Sequence, residues 1–533
     1  MVEVVDAART GLRPRHHAPV PLDALVAEGS VVQDSLAEGS VSGPRASDVL
    51  VSGVTLDARL VEPGDLFVGL PGRHHHGATF AAQAARAGAV ALLTDAAGAS
   101  SAGGVLPVVV VDDPRRAMAG IAARVYGEPS RALATYGITG TQGKTTTAYL
   151  LDAALRAAGT STGVIGTVGF SLDGRDLGGS RTTVTTPESP ELQGILGHLV
   201  EHGAQALVME VSSHALALGR VDAIVFDVAA FTGFGEDHLD FHGDVESYFE
   251  AKASLFTPGR ARHAVVNVDD ERGPELVRRA TAAGLAVTTT GFGPDADVHP
   301  VRPVAVDQGP ARLRIRVGDR EVETRLSLPG EHNLRNALTA LAMVAAGGGD
   351  LDAAARGLES ASVPGRMQRV DLGPGAPAVF VDFAHTPQAV TAAVRALTDV
   401  VQGRGRVLAV LGAGGDRDPG KRRPMGRAAA ALADVVVVTD DNPRGEDPAA
   451  IRTEVLAGAR SVRGRPVEVL DGGDRRSAIA TALRLAGPAD AVVVLGKGHE
   501  RGQEIGGVVH PFADPDVVRE AWAAPRAAGR GAR

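Results

Sequence analysis

Short runs of apolar, mostly β-branched residues recur along the chain, and each ends in a polar loop that contains Gly or Pro. Four consecutive runs of this kind read AVFVDFAHTP, RVLAVLG, DVVVVTDDNP and AVVVLGKGHE. Apolar runs of this length are typical of parallel strands that are covered on both faces. Ala-rich segments with a helical pattern alternate with such runs, as at residues 80–88. We therefore predict an α/β fold built on parallel sheets.

The domain organisation follows from the length and from changes in this pattern. With 533 residues, the chain exceeds what one hydrophobic core usually supports. We place domain boundaries near residues 132 and 363, which gives the segments 1–132, 133–363 and 364–533. Because ligands bind at the carboxyl ends of parallel strands, the four polar loops of the last segment are expected to face one cleft.

The composition excludes several classes of protein. The chain contains no Cys, which excludes disulfides, thiol nucleophiles and zinc–thiolate sites. Its net charge of −9 argues against a general nucleic-acid-coating role, since phosphate binding needs a basic surface. No apolar run approaches the length of a membrane span, and the first residues lack a signal-peptide pattern. We therefore expect a cytoplasmic protein without nucleic-acid or membrane partners.

Lysine is rare in this chain. Only four lysines accompany 50 arginines, and they are Lys144, Lys252, Lys421 and Lys497. Arg can supply most surface positive charges, so a retained Lys hints at a need for a compact ammonium or a reactive amine.

Residues 137–147 read GITGTQGKTTT and lie between an apolar run and a helical segment. Glycines let backbone N–H groups approach a phosphate, and the helix N-terminus adds a partial positive charge. Lys144 would reach the terminal phosphates and Thr145 would offer its hydroxyl to Mg²⁺. Ile138 stands where the first glycine of the usual loop belongs. We predict nucleotide binding here, the alternative being a Gly-rich strand–helix turn.

Motifs that follow this loop in order resemble those of the Mur ligases, which join amino acids to the peptide of UDP-N-acetylmuramic acid. They are TTP at 185–187, EVSSH at 210–214, DHLD at 237–240, AK at 251–252, Asn333, Asn336, Arg366 and DFAHTP at 382–387. The resemblance covers residues 50–515. It implies an α/β fold of three domains: an N-terminal uridine-binding domain, a central P-loop-type parallel-sheet ATPase domain and a C-terminal Rossmann-like domain.

The resemblance also implies the roles of individual residues. Catalytic roles fall to Lys144, Glu210, His238 and Lys252, the last as N6-carboxylysine. Two Mg²⁺ ions would be held by Thr145, Glu210, His238 and Lys252. ATP would contact Gly140, Thr141, Gln142, Gly143, Lys144, Thr145, Thr146, Asn333, Arg366, Asp382 and His385. The UDP-sugar dipeptide would contact Leu56, Ala58, Arg73, His74, His75, Thr185, Thr186, Ser212 and Arg220.

Residues 441–444 read DNPR, which matches the family's stretch for meso-diaminopimelate. This amino acid carries a carboxylate that lysine lacks, and the planar fork of Arg suits a carboxylate. Taken alone, DNPR is also compatible with an Asn-Pro turn after a strand. The resemblance implies that Arg417 binds a carboxylate and Glu500 an ammonium group. The implied diaminopimelate contacts are Arg417, Asp441, Asn442, Pro443, Arg444, Gly496 and Glu500.

The implied activity is an ATP-dependent amide ligation. It would add meso-2,6-diaminopimelate to the D-glutamate of UDP-N-acetylmuramoyl-L-alanyl-D-glutamate through an acyl phosphate. This reaction belongs to cytoplasmic peptidoglycan precursor synthesis, which supports cell-wall biogenesis, cell shape and cell division. The partners would be small-molecule substrates, and we expect a monomer.

Some positions depart from the family pattern and keep other interpretations open. Ala58, His76, Gly233 and His332 replace residues usual in the family, mostly at nucleotide or nucleotide-sugar contacts. One alternative is a Mur-ligase paralogue with an altered acceptor or added amino acid, and another is a non-catalytic nucleotide-sugar-binding regulator. A folylpolyglutamate synthase-like ligase would lack the first domain. The run His74, His75 and His76 suggests a metal site, but adjacent loop side chains point in different directions, which disfavours it.

Overall fold

The structure is a computed structural model that describes residues 12–26, 31–33, 46–72, 74–178, 184–235, 237–301 and 311–524. The chain divides into two compact units. The first unit consists of Met1–His299, Val317–Asp319 and Leu338–Gly357, and the second of Pro300–Arg316, Arg320–Ala337 and Leu358–Arg533. The boundary expected near residue 132 lies inside the first unit, and the one near 363 inside the second.

The first unit begins with a small α/β sheet. Its strands are β1 (Val20–Pro21), β2 (Val31–Gln33), β3 (Leu50–Val51), β4 (Gly53–Thr55), β5 (Asp65–Val68), β6 (Ala91–Thr94) and β7 (Val108–Val110). Its helices are α1 (Leu22–Leu25), α2 (Ala81–Ala87), α3 (Ala96–Ser101) and α4 (Pro114–Val125). The strand order is β2-β7-β6-β5-β4, parallel except at the β2–β7 pair, and β1 pairs with β3. The predicted helix at 80–88 is confirmed as α2, which ends at left-handed Gly88.

A larger sheet follows in the first unit. Its strands are β8 (Ala134–Thr139), β9 (Thr162–Gly166), β10 (Gly169–Leu172), β11 (Arg175–Asp176), β12 (Ala206–Glu210), β13 (Phe226–Phe231), β14 (Ala261–Asn267), β15 (Ala286–Thr290) and β16 (Val298–Pro300). Its helices are α5 (Lys144–Ala157), α6 (Ser189–Glu201), α7 (Ser213–Ala217), α8 (Leu239–His242), α9 (Val245–Ala253) and α10 (Gly273–Ala282). The order is β11-β10-β9-β12-β8-β13-β14-β15-β16, and among these strands the antiparallel pairs are β9–β10 and β10–β11.

This sheet places the ends of β8, β9, β12 and β13 side by side. These strands are almost entirely buried, as the continuous apolar runs predicted. In the parallel register, Glu210 pairs with Ile138, and Phe231 pairs with Thr139. The loops that carry the phosphate-binding motif and the following motifs therefore leave the sheet at one edge.

The chain then forms the strands β17 (Ala311–Val317) and β18 (Arg320–Leu326) and the helices α11 (Glu331–Ala346) and α12 (Leu351–Glu359). The remaining strands are β19 (Gln368–Val370), β20 (Ala378–Asp382), β21 (Val407–Leu411), β22 (Val435–Thr439), β23 (Glu468–Gly473), β24 (Ala491–Leu495), β25 (Gly502–Ile505) and β26 (Val508–Pro511). The remaining helices are α13 (Pro387–Val401), α14 (Arg422–Ala430), α15 (Pro448–Ala459), α16 (Arg475–Leu485) and α17 (Asp514–Ala523).

The main sheet of the second unit has the order β19-β20-β24-β21-β22-β23, and only β19 runs antiparallel. Helices cover both faces of this sheet. Successive side chains of each strand point to opposite faces, so both sets are buried. In β21, Ala409 packs with α13, α14 and α15, whereas Leu408 and Val410 pack with α16 and α17. The predicted runs of Val and Leu in this region are confirmed as strands, and their loops leave at the carboxyl ends.

A fully buried ion pair fixes the last helix of the second unit. Arg475 Nη2 lies 2.7 Å from Asp514 Oδ2, and both side chains are excluded from solvent. The same Nη2 donates to the Leu495 carbonyl oxygen at 2.9 Å. The pair therefore ties the starts of α16 and α17 to the carboxyl end of β24. Within the described part of the chain, no helix is both long enough and apolar enough to cross a membrane.

Candidate active site

The phosphate loop has the conformation that its glycines predict. Gly140 and Gly143 adopt positive φ angles of 148° and 87°, which L residues rarely adopt. A Cβ at Gly140 would lie 2.1 Å from Thr232 Oγ1, so this position also needs Gly for space. Lys144 is the first residue of α5, and its Nζ donates to the carbonyl oxygens of Gly140 at 2.8 Å and Thr141 at 3.2 Å. The loop thus places an ammonium group at a helix N-terminus, which suits an anionic phosphate.

The segment after β13 forms hydrogen bonds with the phosphate loop. The Thr141 backbone N–H donates to the Gly233 carbonyl oxygen at 2.9 Å, and Gly235 N–H donates to Thr141 Oγ1 at 3.0 Å. Thr141 Oγ1 also lies 3.1 Å from the Tyr248 hydroxyl of α9. Gly233, one of the departures from the family pattern, has a φ of 150° and therefore suits Gly. Gln142 is exposed, and Thr146 is buried in the first turn of α5.

A buried group of oxygen atoms lies next to the start of α5. Thr145 Oγ1 donates to Glu210 Oε2 at 2.9 Å, and Glu210 is only 1% exposed. The same carboxylate accepts hydrogen bonds from the backbone N–H and the hydroxyl of Thr167 at 2.8 and 3.0 Å. Hydroxyl and carboxylate oxygens are the ligands that Mg²⁺ prefers, so these residues fit the ion that the sequence implied. Thr167 was not predicted, and no sequence motif pointed to it.

Lys252 lies buried in α9 and its Nζ donates to the Gly140 carbonyl oxygen at 2.9 Å. Lys144 donates to this same oxygen. The Lys252 Nζ also lies 4.4 Å from the centre of the Tyr248 ring, four residues earlier in the helix. Burial, together with repulsion from Lys144, lowers the pKa of the Lys252 amine well below its ordinary value. The amine is therefore biased toward its neutral, nucleophilic form.

His238 lies in a cluster of aromatic rings that includes His214 and Tyr248. Its side chain is 49% exposed, and its φ of 52° places it in the left-handed region. The ring packs edge-on against His214 at 4.7 Å between ring centres and lies 6.3 Å from the Tyr248 ring. His238 and Lys252, two of the four implied Mg²⁺ ligands, therefore have Tyr248 as a common neighbour. The other two implied ligands, Glu210 and Thr145, contact each other.

The predicted substrate-contacting residues of the first unit form one hydrogen-bonded group. Thr186 Oγ1 donates to the Glu210 carbonyl oxygen at 2.9 Å and accepts from the Ser212 N–H at 3.1 Å. Arg220 Nη1 donates to the Thr186 carbonyl oxygen at 2.9 Å. Thr185 Oγ1 lies 3.2 Å from Thr167 Oγ1. These contacts connect the group to the Glu210 strand end.

Glu188, which was not predicted, links Arg220 to the first sheet of this unit. Its carboxylate lies 2.9 Å from Arg220 Nη2 and 2.8 Å from Arg115 Nη1. The Arg220 Nε is buried and has no hydrogen-bond partner among the described residues. The guanidinium is thus fixed by two of its nitrogens. Glu188 directly follows the TTP motif, which was the available sequence signal.

The residues predicted to contact uridine are spread over the first sheet's loops. Leu56 is half-buried, Ala58 is buried among the apolar residues of this region, and His74 and His75 are exposed. Arg73 lies outside the described residues. Ala58 therefore contributes packing at this position instead of a hydroxyl.

His76 has a structural role at its loop. Its Nδ1 accepts a hydrogen bond from the Ala78 N–H at 3.2 Å, which caps the 3₁₀ helix Gly77–Phe80. Its Nε2 lies 3.1 Å from Asp95 Oδ1. Both ring nitrogens are thereby engaged, so a helix cap and a hydrogen bond to Asp95 explain this departure from the family pattern.

The nucleotide contacts predicted in the second unit include a compact group around Phe383. The Arg366 guanidinium lies 4.4 Å from the centre of that ring, and His385 Nδ1 donates to the Phe383 carbonyl oxygen at 2.9 Å. The Asp382 carboxylate accepts the Met367 and Ala384 N–H groups at 2.7 and 2.8 Å. Asn333, on α11, is buried, and its Nδ2 donates to the Pro329 carbonyl oxygen at 2.7 Å.

The polar loops after β22 and β24 converge, as their strand ends predicted. Asn442 Nδ2 donates to Glu500 Oε2 at 2.9 Å. Lys497, which is fully buried, donates from Nζ to Asn442 Oδ1 at 2.9 Å and to Glu500 Oε2 at 2.8 Å. Burial opposes ionisation of Glu500, but the charge of Lys497 together with the hydrogen bonds from Lys497 and Asn442 holds the pKa of this carboxyl below its ordinary value. Burial also raises the pKa of neighbouring Asp441.

Arg444 is held at the same strand end. Its Nη1 donates to the Gly415 carbonyl oxygen at 2.7 Å, and its Nε lies 3.2 Å from the Glu504 carboxylate. The residue adopts a φ of 52°, in the turn that Pro443 precedes. Gly496 has a φ of 113°, and a Cβ there would lie 2.4 Å from Asp441 Oδ2. Arg417, on the loop after β21, is exposed. The predicted cleft of strand-end loops therefore contains fixed cationic and anionic groups.

Models of three Mur ligase domains match consecutive parts of the chain. The Mur ligase family catalytic domain matches residues 50–126, the middle domain matches 138–344 and the glutamate ligase domain matches 365–498. Together they span most of the sequence. The chain belongs to the Mur ligase family.

Curated relatives of this Mur ligase share nearly half of its residues. A Streptomyces coelicolor protein named UDP-N-acetylmuramoyl-L-alanyl-D-glutamate--2,6-diaminopimelate ligase is 49% identical over 481 residues, or 88% of this chain and 92% of that protein. The protein of the same name from Streptomyces avermitilis is 47% identical and covers 96% of this chain and 97% of its own length.

Solved structures agree with the family's fold. A UDP-N-acetylmuramoyl-L-alanyl-D-glutamate--2,6-diaminopimelate ligase matches with a TM-score of 0.68 at 29% identity, covering 95% of this chain and 99% of that one. Mycobacterium tuberculosis folylpolyglutamate synthase complexed with ADP matches with a TM-score of 0.58 at 23% identity, covering 72% and 92%. The second match shows a shared fold alone. The predicted α/β class and Mur ligase architecture are thus confirmed.

The prediction of site residues missed Tyr248 and Lys497 in this Mur ligase. Tyr248 precedes Lys252 by four residues, so the two share one face of α9. Lys497 is one of only four lysines in the chain, and its rarity was the signal that could have identified it.

Proposed function

We propose that this chain is the ATP-dependent ligase that adds meso-2,6-diaminopimelate to the D-glutamate of UDP-N-acetylmuramoyl-L-alanyl-D-glutamate. The observation that carries the proposal is the identity of 49% to a relative of that name over 88% of the chain. The match to a Mur ligase model at residues 50–126 favours this function over folate chemistry, since the folate enzymes lack that domain.

The strand-end loops of the second unit support the choice of amino acid. A diaminopimelate molecule presents both carboxylates and ammonium groups, so its site needs fixed charges of both signs. Arg444 supplies a planar guanidinium oriented by Gly415 and Glu504. Glu500 stays ionised beside Lys497 and would receive an ammonium group. An exposed Arg417 would provide a second cation for a carboxylate.

The phosphate loop supports the use of ATP. Its backbone N–H groups, the start of α5 and the Lys144 ammonium together form a site for the terminal phosphates. Mg²⁺, when bound by Thr145 and Glu210, would neutralise the charge on the phosphoryl oxygens. Thr167 holds the Glu210 carboxylate in place through two hydrogen bonds.

We also propose that Lys252 becomes a carbamate. The neutral amine attacks the carbon of CO₂ and loses a proton, which leaves an N-carboxylate of charge −1. Burial and the nearby Lys144 charge support this step, because they lower the pKa of the Lys252 amine. The product would place a carboxylate near the Lys144 ammonium, which donates to the same carbonyl oxygen as Lys252, and these opposite charges attract one another. The new oxygens would also suit Mg²⁺.

The reaction requires no protein nucleophile. An oxygen of the D-glutamate carboxylate attacks the terminal phosphorus of ATP, the bond to ADP breaks, and an acyl phosphate forms. The amine of diaminopimelate then attacks the acyl carbon, phosphate leaves and the nitrogen gives up a proton. The group formed by Thr185, Thr186, Ser212 and Arg220 would hold the dipeptide so that its carboxylate meets the phosphate loop.

The deciding experiment measures phosphate release with ATP, Mg²⁺ and UDP-N-acetylmuramoyl-L-alanyl-D-glutamate, with meso-diaminopimelate or L-lysine added in parallel. We expect turnover with diaminopimelate only. Turnover with lysine but not with diaminopimelate would support a ligase activity and contradict the proposed role of Arg444 in binding diaminopimelate. No turnover from a folded, ATP-binding chain would contradict the proposal and favour the altered paralogue.

A further inference from the structure

A cluster of metal-binding side chains lies at the end of α6, outside the phosphate-loop and strand-end groups. The helix ends with the sequence HLVEH, in which His198 and His202 are four residues apart and therefore share one face. Glu201 lies between them in sequence. One ligand atom from each of these three residues lies within 4.8 Å of the others. The three side chains are therefore close enough together to be considered as ligands of one ion.

Hydrogen bonds orient the imidazole of His202. Its Nδ1 donates to the His198 carbonyl oxygen at 2.8 Å, which fixes the tautomer with the lone pair on Nε2. The ring centres of His198 and His202 lie only 4.0 Å apart. A ligand histidine usually donates its other ring nitrogen to a carbonyl or carboxylate, and His202 already has this arrangement without an ion.

The Glu201 carboxylate is held by residues 12–17, which we term the N-terminal strap. Glu201 accepts the Arg15 N–H at 3.0 Å, the His16 N–H at 2.8 Å and a hydrogen bond from His16 Nδ1 at 2.7 Å. Its side chain is accordingly only 18% exposed. Because the carboxylate is already held in place, its side chain loses less conformational entropy when an ion binds.

The strap is itself anchored on both sides. A Cβ at Gly197 of α6 would lie 2.8 Å from Pro14 Cγ, so Gly at this position lets the strap pack directly on the helix. Arg13 pairs with buried Asp65 of β5 at 2.7 Å, and His17 packs on Tyr126. The strap that holds the Glu201 carboxylate is therefore anchored both to α6 and to the first sheet of this unit.

We propose that His198, Glu201 and His202 bind one divalent transition-metal ion of the zinc class. Two imidazole nitrogens and one carboxylate oxygen suit Zn²⁺ or Co²⁺, whereas Mg²⁺ prefers oxygen ligands alone. The fourth position would be taken by water, since the cluster lies at the surface. The bound ion would stabilise the packing of the end of α6 on the strap. This site is independent of the proposed ligase function and of the Thr145 and Glu210 oxygens.

The test measures zinc bound per chain by equilibrium dialysis of the chelator-stripped, full-length protein, with Mg²⁺ in excess throughout. We expect the parent to bind one more zinc ion than His202→Ala. His75→Ala, which removes an exposed histidine elsewhere, is expected to bind as much as the parent. Equal zinc content of the parent and His202→Ala would overturn the proposal, as would loss of the ion in His75→Ala.

A spectroscopic measurement identifies the ligands. Co²⁺ added to the parent is expected to give visible absorption bands of a four-coordinate site, and His198→Ala is expected to lose them. Retention of these bands in His198→Ala would overturn the assignment. The His198→Ala and His202→Ala variants should keep the ligase turnover of the parent with Mg²⁺, which confirms that they fold.

Discussion

Lys144 and Lys252 both donate a hydrogen bond to the carbonyl oxygen of Gly140, although the two residues are more than a hundred positions apart. A third lysine, Lys497, is buried between Asn442 and Glu500. The scarcity of lysine in the sequence indicated that these positions need an amine, and their environments show why. Each of these compact ammonium groups donates to oxygen atoms within 3 Å.

Replacing Lys252 by Ala is predicted to lower kcat by about a hundredfold or more, because a preorganised charged group at the phosphate site is lost. Short carboxylates such as formate or acetate, added in solution, should restore part of the activity by occupying the vacated space. The measurement is the phosphate-release rate against carboxylate concentration. Lys144→Ala is the matched control and should remain inactive, and lack of any rescue of Lys252→Ala would count against the carbamate.

Replacing Lys497 by Met is predicted to raise the KM for diaminopimelate about tenfold or more, because Glu500 and Asn442 lose the charge that orients them. The KM for ATP should stay within about twofold, since Lys497 contacts Asn442 and Glu500, which we propose as contacts for the amino acid. Steady-state kinetics with each substrate varied in turn provides the comparison. An equal rise of both KM values would indicate a general loss of structure instead.

At the scale of elements, the strand ends and helix starts were predictable because local chemistry determines them. Gly143 and Lys144 mark the start of α5, and Gly159, with a φ of 84°, follows its end. The contacts that α6 makes were not predictable. Its first turn packs near Glu188 and Arg220, and its last turn meets the strap. Such contacts join residues far apart in sequence and leave no local pattern.

Glu191 in the first turn of α6 should make stability depend on pH. Burial, with repulsion from Glu188, raises the pKa of its carboxyl from an ordinary 4.5 to about 7. The folded state therefore binds this proton more tightly than the unfolded state, and stability falls as the pH rises from about 4.5 to 7. We predict that Glu191→Gln reduces this fall by about 2 kcal/mol.

Denaturant unfolding of the parent and Glu191→Gln at a series of pH values gives the comparison. The two curves should converge below about pH 4.5, where the carboxyl is protonated in both states. Glu271→Gln, which changes another acid of the first unit, serves as the control. Parallel curves for the parent and Glu191→Gln across the whole range would contradict the prediction.

At the scale of the whole molecule, the chain places its two groups of charged residues in different compact units. The phosphate loop belongs to the first unit, and the loops of Asn442 and Glu500 belong to the second. Each unit has its own buried apolar clusters. Units with separate cores can respond separately to a ligand.

Calorimetry is predicted to resolve a thermal transition that meso-diaminopimelate shifts to higher temperature, because ligand binding stabilises the unit that holds it. Arg444→Ala should abolish this shift, since it removes the guanidinium that we propose as the partner of a diaminopimelate carboxylate. Lys144→Ala should preserve it, because that lysine belongs to the other unit. Loss of the shift in both variants would contradict separate binding of the amino acid.

The sequence by itself determined the α/β class, the parallel strands, the phosphate loop and the family, because periodicity, glycine positions and ordered motifs are local properties. Only the tertiary structure decided which side chains meet. It brought Thr145 and Thr167 to Glu210, Lys252 and Lys144 to one carbonyl oxygen, and His76 to Asp95. These contacts depend on strand order and register, which bring distant residues to one edge of a sheet and which no local pattern encodes.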